Sequence, residues 1–595
     1  MIDTMNEITQ FSPFAGKLAL EEVKGVITGR MEPENDVTAR NGSDRDMYVY
    51  VPESGCPDAK QGQVIMVLRD SSDEQSACMI MKTYGLSELA EKKHFLLLFP
   101  NPLESGWNYT ASFEYEDDIA YLVRCFSSLS TSKGGVAGFN GMIFYIAASK
   151  ASSAMLMTLS AKSPINAAGI MISEFPEDYE IPENALNMPQ VTYICGKNAL
   201  VEEYLKKANG VKEDDRTEYC HVMTYKNPIN HNIRHMLSSK KISSGEIAFA
   251  WDTLFSETRR WQNDTYGMYQ RRTNFTERGF IAHVNDTSLG VNNGFAHTWY
   301  EYIPPQLRGS KEKVPLLLYF HGIGCVPLYG AEQSGWHDIA DRENFIVVYP
   351  KPAIEKRWNV WNAHKLPSDE AFVLALIEHM KEQYNIDETR VYISGFSMGG
   401  MMTNAMACSH PELFAAASPC NGYNVGYTGT LADWAPFLLK MNPKSMVMTA
   451  VENPAEKESQ TKILADKKKA EKDYRMPVIQ SSGLLDGKWP IPAADDQRIQ
   501  TFDYWKAYNN IPVTPCSIDP QYESGLTSEE TFYEGSDERF LHHRWFSRDP
   551  GSTSLYEILL AKRMPHALDL RELEIAWNFM KKFSRNPDGS LNIVE

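Results

Sequence analysis

Short, uninterrupted apolar runs separated by longer amphipathic stretches recur along this chain. VIMVL at 64–68, LLLFP at 96–100, LLLYF at 316–320 and VVYP at 347–350 lack the alternation of a half-exposed strand, so they read as strands buried on both faces. The stretch after Ser368 has a different period. Val373, Leu376, Ile377, Met380 and Tyr384 recur at spacings of three and four, Asp369 and Glu370 occupy the first turn, and Ser368 is a candidate N-cap, which predicts a helix with one apolar face. Buried strands alternating with helices of about ten to seventeen residues need crossover connections. The pattern predicts an α/β fold: a mostly parallel sheet with helices on both faces.

The pattern occurs twice. YVYVP at 48–52 matches YEYIP at 300–304, and the buried run at 64–68 matches that at 316–320, both 252 residues apart. GLSELAEKKHFLLLFP at 85–100 matches GWHDIADRENFIVVYP at 335–350 at an offset of 250. Trp107-Asn108 corresponds to Trp358-Asn359, Asp117 to Asp369 at a helix start, and Phe144-Tyr145-Ile146 to Val391-Tyr392-Ile393. YLKKANGV at 204–211 matches YWKAYNNI at 504–511, and Glu246-Ile247-Ala248 matches Glu574-Ile575-Ala576 near the end of each copy. Offsets that drift only where loops differ predict a tandem duplication. One copy spans about 25–260 and the other about 275–590, the second enlarged by insertions near 424–475 and 517–550. The charged stretch 456–472 reads as a solvated helix.

Length alone would have suggested about four domains, and the repeat reduces that to two. With 43% hydrophobic and 23% charged residues, the chain can build large cores. Its 59 basic and 77 acidic side chains leave a formal charge of −18, which repels phosphate backbones and anionic lipid, so no nucleic-acid or membrane partner is expected. No apolar run approaches the roughly eighteen residues of a membrane span. Residues 1–30 lack a basic start followed by an apolar core, so the expected compartment is the cytoplasm unless a leader has been removed. The nine cysteines form no CxxC or Cys/His cluster, which predicts reduced thiols and no structural metal.

The chemistry falls in the second copy. The run 391–394 leads directly into Gly395-Phe396-Ser397-Met398-Gly399-Gly400 and then a small, Met-rich helical stretch. A nucleophile on a tight strand-to-helix turn needs glycine two residues before and two after, where side chains would strike neighbouring backbone, so Ser397 is the candidate nucleophile. Upstream, the buried run 316–320 ends in His321-Gly322-Ile323-Gly324, a turn of the H-G-x-G form. It predicts an oxyanion hole made by the backbone N–H groups of Ile323 and Met398, where one such donor contributes about 3–4 kcal/mol. In this chain order the acid follows the serine and the base comes last. Asp486 lies just beyond the strand-like run 478–481, with Asp473 and Asp495 as rivals. His566 follows the run 555–561 and precedes the closing helix, with His542 and His543 as alternatives.

From about 300 to 585, the chain resembles the polyhydroxybutyrate depolymerase-like and feruloyl or acetylxylan esterases of the α/β-hydrolase superfamily. The resemblance is carried by LLLYFHGIG (316–324), VVYP (347–350), RWNVW (357–361), IDETRVYISGFSMGG (386–400), SSGLLDGKWPIP (481–492) and MPHA (564–567). It implies two tandem α/β-hydrolase-like domains and cofactor-free hydrolysis of carboxylic esters through an acyl-enzyme. It also implies that Trp358 and Trp361 border the substrate, and His321 joins them as a substrate-binding candidate. Family members usually carry Gly-Thr-x-Asp before the acid, where Leu484-Leu485 stand here.

In the first copy, matching 144–146 to 391–393 sets Lys150 opposite Ser397, the offset of the buried runs sets Arg69-Asp70-Ser71-Ser72 opposite the glycine turn, and matching Gly196 to Gly483 sets Ala199 opposite Asp486, leaving His231 or His235 for the base. That copy is expected to be noncatalytic and to pack against the second. The chain as a whole reads as a serine ester hydrolase acting on a small or oligomeric ester. A peptidase or acyltransferase on the same triad, or a noncatalytic binding protein, are the competing readings, and the oligomeric state is open.

Overall fold

The computed structural model describes residues 47–50, 52, 63–109, 118–123, 125, 142–264, 266–353, 357–360, 366–423, 474–491, 496–513, 522–535, 537–551 and 553–593. The chain divides into two compact units that part between Thr273 and Asn274. The first holds strands β1 (Met47–Tyr50), β2 (Val64–Leu68), β3 (Leu96–Pro100), β4 (Ile143–Ala147), β5 (Gly169–Ile172), β6 (Thr192–Cys195), β7 (Arg216–Tyr219), β8 (Val222–Lys226) and β9 (Arg234–Ser238), followed by the hairpin β10 (Thr258–Trp261) and β11 (Met268–Arg271). The second holds β12 (Ile281–Asp286), β13 (His297–Tyr302), β14 (Val314–Phe320), β15 (Ile346–Pro350), β16 (Ile386–Phe396), β17 (Ala416–Cys420), β18 (Val478–Gly483), β19 (Glu530–Glu534), β20 (Phe540–Phe546) and β21 (Ser554–Ala561), then β22 (Phe583–Arg585) and β23 (Leu591–Ile593).

The main sheet of the first unit runs β1-β3-β2-β4-β5-β6-β9-β8-β7, and that of the second β12-β13-β15-β14-β16-β17-β18-β21-β20-β19. With β12 set aside, the two orders coincide strand for strand. In both, six central strands are parallel and the outer ones antiparallel. Burial on both faces explains the unbroken apolar runs. On one face of the second sheet, Leu316, Leu318 and Phe320 pack with Phe372, Leu376, Met402 and Trp505. On the other, Tyr392 meets Trp577, which packs on Phe345 and Trp336. The first unit repeats the arrangement, with Met66 and Leu68 among Met155 and Leu159 on one side and Ile65 and Val67 with Leu86 and Trp251 on the other.

Two polar pins recur as well. The Trp358 indole donates to the His321 carbonyl at 2.7 Å, and the Trp107 indole to the Arg69 carbonyl at 2.8 Å. Asp369 accepts the Asn359 N–H at 2.6 Å, and Asp118 accepts the Asn108 N–H at 2.5 Å. The first unit thus uses Asp118, one residue beyond Asp117, which itself lies outside the described residues. The closing helices begin after Ser243 and Asp569, so Glu246 corresponds to Glu572, two residues earlier than the pattern match with Glu574.

Ser368 caps the helix Asp369–Gln383 through the Ala371 N–H, as the spacing predicts. Asp369 also accepts the Ala353 N–H, and burial pushes its carboxyl up to about 6. With the native value above the unfolded 3.8, the stability Asp369 contributes is full below about pH 4 and declines as pH rises through about 6. Asp369→Ala leaves the buried Asn359 N–H unpaired, at about 1–3 kcal/mol, and frees the part-buried Ala353 N–H as well. Chemical denaturation followed by tryptophan fluorescence should therefore show a loss that is larger at pH 4 than at pH 7; an equal loss at both would contradict the titration.

Candidate active site

Strand β16 ends at Phe396, Ser397 takes φ 56° and ψ −119°, and the helix Met398–Ser409 starts at the next residue. A left-handed, non-glycine residue costs on the order of 1–3 kcal/mol and persists only where its surroundings hold it. Here the Ser397 N–H donates to the Cys420 carbonyl at 2.8 Å and its carbonyl accepts from the Met401 N–H at 3.0 Å. The turn fits because Gly395 and Gly399 have no side chains. A β-carbon on Gly399 would fall inside the Phe320 carbonyl, and one on Gly395 inside the Gly399 carbonyl. The helix so placed aims its N-terminus, with its partial positive charge and free N–H groups, at the serine.

The turn after β18 delivers Asp486, closed by the Asp486 N–H on the Gly483 carbonyl at 3.0 Å. The turn after β21 delivers His566. Its Nε2 is 2.8 Å from Ser397 Oγ and its Nδ1 is 2.8 Å from Asp486 Oδ2. A carboxylate only accepts, so Nδ1 carries the proton and Nε2 is left to accept from the serine hydroxyl. The His566 side chain is 46% exposed and that of Asp486 23%, and Phe396 lies beside the imidazole, ring centres 4.8 Å apart. The rivals fall elsewhere: His542 is buried against Glu557 and His543 against Ser524, while Asp473 and Asp495 lie outside the described residues.

Of the remaining sequence candidates, Met398 opens the elbow helix, and Ile323 sits in the turn after β14, closed by the Cys325 N–H on the Gly322 carbonyl. Gly322 lies against the elbow, since a β-carbon there would come within 3.2 Å of the Phe396 ring and 3.4 Å of Ser397 Cβ. His321 and Trp358 are each 1% exposed. The His321 ring faces Trp358 with its Nδ1 2.8 Å from the Gly322 carbonyl oxygen, so this pair braces the turn from within the core and does not line an open surface. Trp361 lies outside the described residues. One polar residue beside the site was not singled out by pattern. Asn421, directly after β17, bonds to both the acid-bearing and the histidine-bearing loops; its only trace in the sequence is an Asn-Gly pair closing a buried run.

The register of the first sheet corrects the matching of the two copies. Tyr145 pairs with Met66 as Ile393 pairs with Leu318, so Ser149, and not Lys150, stands where Ser397 does, each directly ahead of its helix. Ala147 and Ala151 occupy the two glycine places, the turn does not tighten, and Ser149 keeps an extended φ of −151° as an ordinary N-cap. Its hydroxyl donates to Asp70, 2.5 Å away, and Asp70 holds the place of Gly322. Lys240, three residues before the N-cap Ser243, holds the place of His566. His235 lies inside β9, stacked on Tyr225, its imidazole held down to about 3 by burial, and His231 lies in the turn before β9. The loop after β6 enters the helix Ala199–Ala208 without a carboxylate.

Residues 354–486 match the prolyl oligopeptidase family model. The second unit has the α/β-hydrolase fold. Its relatives carry esterase names: a bifunctional acetylxylan esterase/xylanase of Neocallimastix patriciarum is 41% identical over 125 residues, covering 21% of this chain and 18% of that protein. Feruloyl esterase B of Neurospora crassa is 31% identical over 164 residues, covering 27% and 55%. Poly(3-hydroxyalkanoate) depolymerase C of Paucimonas lemoignei is 30% identical over 144 residues, covering 23% and 33%. The chain thus spans between about a fifth and about half of these relatives' lengths. Among solved structures, an acetyl xylan esterase from Aspergillus awamori aligns over 51% of this chain and 99% of its own, at 17% identity and a TM-score of 0.35. Among the described residues no helix is long and apolar enough to cross a membrane.

Gly399→Ala tests the elbow. It should leave the far-ultraviolet circular dichroism nearly unchanged while displacing Ser397, with a loss of about 100-fold in any Ser397-dependent turnover. Wild-type turnover would show that the close approach to Phe320 is not what sets the nucleophile.

Proposed function

We propose that the second unit is a serine carboxylic ester hydrolase working through an acyl-enzyme. The observation that carries this reading is the pair of 2.8 Å contacts from His566, one to Ser397 Oγ and one to Asp486, with the serine on its tight turn. Ser397 Oγ attacks the ester carbonyl carbon while His566 Nε2 takes its proton. The carbonyl oxygen becomes an anion facing the N–H groups of Ile323 and Met398 and the positive end of the helix Met398–Ser409. His566, now an imidazolium stabilised by Asp486, returns the proton to the leaving alkoxide, and the alcohol departs. Water then attacks the acyl-serine by the same route in reverse, His566 taking its proton and passing it to Ser397. The relatives' names favour acetyl, feruloyl or hydroxyalkanoate esters.

We assign no turnover to the first unit. The side chain of Asp70, hydrogen-bonded to Ser149, stands where the second unit has Gly322, and Lys240 stands where it has the imidazole of His566. Amide hydrolysis by the second unit is the alternative, favoured by the peptidase family whose model it matches. Matched p-nitrophenyl acetate and p-nitroanilide probes separate the two readings.

Ser397→Ala should lower p-nitrophenyl acetate hydrolysis by at least about 10⁴-fold with the fold intact, and adding His566→Ala should cost little more, because the groups act as a unit. Retained turnover in Ser397→Ala, or two losses that multiply, would refute the mechanism.

A further inference from the structure

We propose that Asn421 is the positioning residue that fixes the acid-bearing loop against the base-bearing loop, so that Asp486 and His566 meet in a single geometry. The inference rests on the hydrolytic reading of Ser397, His566 and Asp486. Asn421 follows β17 in the left-handed region, φ 50°, and is 5% exposed. Its backbone N–H donates to the Ser481 carbonyl at 2.8 Å. Its Oδ1 accepts from the Gly483 N–H and from Ser482 Oγ, both at 3.1 Å. Its Nδ2 donates to the Ala567 carbonyl at 2.7 Å.

Gly483 begins the turn that Asp486 closes, and Ala567 adjoins His566, so one amide reaches within a few residues of both members of the pair. The two loops otherwise meet through the Leu485 N–H on the Met564 carbonyl and the Leu484 N–H on the Ala561 carbonyl. Both of those bonds lie on the strand side of His566, and Asn421 alone of the three grips the chain on its far side. An amide suits the task because it accepts on one edge and donates on the other, whereas a carboxylate has no donor for Ala567. The first unit supplies the contrast. Ile170 pairs with Tyr145 as Ala417 pairs with Ile393, and four residues on Glu174 stands at the place of Asn421. Glu174 is exposed and pairs with Lys150, in a unit whose loops carry neither the acid nor the base.

Asn421→Gly keeps the left-handed backbone accessible and deletes the amide; Asn421→Asp keeps the acceptor for Gly483 and sets a carboxylate oxygen in place of the donor to Ala567. For p-nitrophenyl acetate, Asn421→Gly should lower kcat by about 10- to 100-fold with little change in KM. Asn421→Asp, which retains the acceptor for Gly483, should lower kcat by less, again with little change in KM. A folded Asn421→Gly with wild-type kcat overturns the proposal, as does a loss carried by KM, which is what general loosening of the site would give. If the glycine variant does not fold, the aspartate variant decides on the same split between kcat and KM. Wild-type turnover that survives Ser397→Ala would overturn the underlying triad reading, and this proposal with it.

Discussion

The site depends on one steric constraint: two parallel strands and a helix converge where there is room for backbone and nothing else. The carbonyl of Phe320 at the end of β14 occupies the space a side chain would need at position 399, and Gly399 occupies the space a side chain would need at 395. Because both positions are glycine, the helix Met398–Ser409 can start one residue after β16, with Ser397 held at positive φ between them. From that follow the outward serine, the helix N-terminus beneath it and the contact of the elbow with Gly322. The strain at Ser397 is offset by hydrogen bonds on both sides of its backbone and by packing of the elbow helix on the sheet.

The first unit separates scaffold from chemistry. It keeps the strand order, the indole-to-carbonyl pin and the aspartate that receives an asparagine N–H, all of which hold the layers together. It differs at the few positions where close approach is required. Alanines replace both glycines, the serine relaxes into an extended N-cap, and an aspartate hydrogen-bonds to it. None of these exchanges disturbs a buried strand, so the fold tolerates them while the constellation is absent. A core is specified by many interchangeable apolar contacts, whereas the elbow is specified by two missing side chains.

Much of this was readable from the residues, and the exceptions share a cause. Unbroken apolar runs gave the buried parallel strands because such strands have no solvent face, and G-x-S-x-G at a strand end marked the tight turn at Ser397 because only glycine fits on either side of it. The chain order of Asp486 and His566 followed from the same fold. What pattern could not supply was register and orientation. Matching YI at 145–146 to YI at 392–393 was chemically plausible yet one residue out, which put Lys150 where Ser149 stands; only the pairing of Tyr145 with Met66 fixes it. Trp358 was expected at the substrate, and it is 1% exposed with its indole on the His321 carbonyl, a burial that the sequence does not reveal. Asn421 left almost no trace, since its role comes from two loops that are 62 and 146 residues away in sequence.

One strand order occurs twice in this chain, and among the described residues the serine ahead of the elbow helix meets a histidine and a carboxylate in the second unit, while its counterpart in the first meets an aspartate. If the proposed chemistry belongs to the second unit, incubation with a fluorophosphonate followed by intact-mass and peptide-level mass spectrometry will give a single adduct per chain, on Ser397, with Ser149 unmodified; an adduct on Ser149, or a chain that acquires none, would refute that assignment.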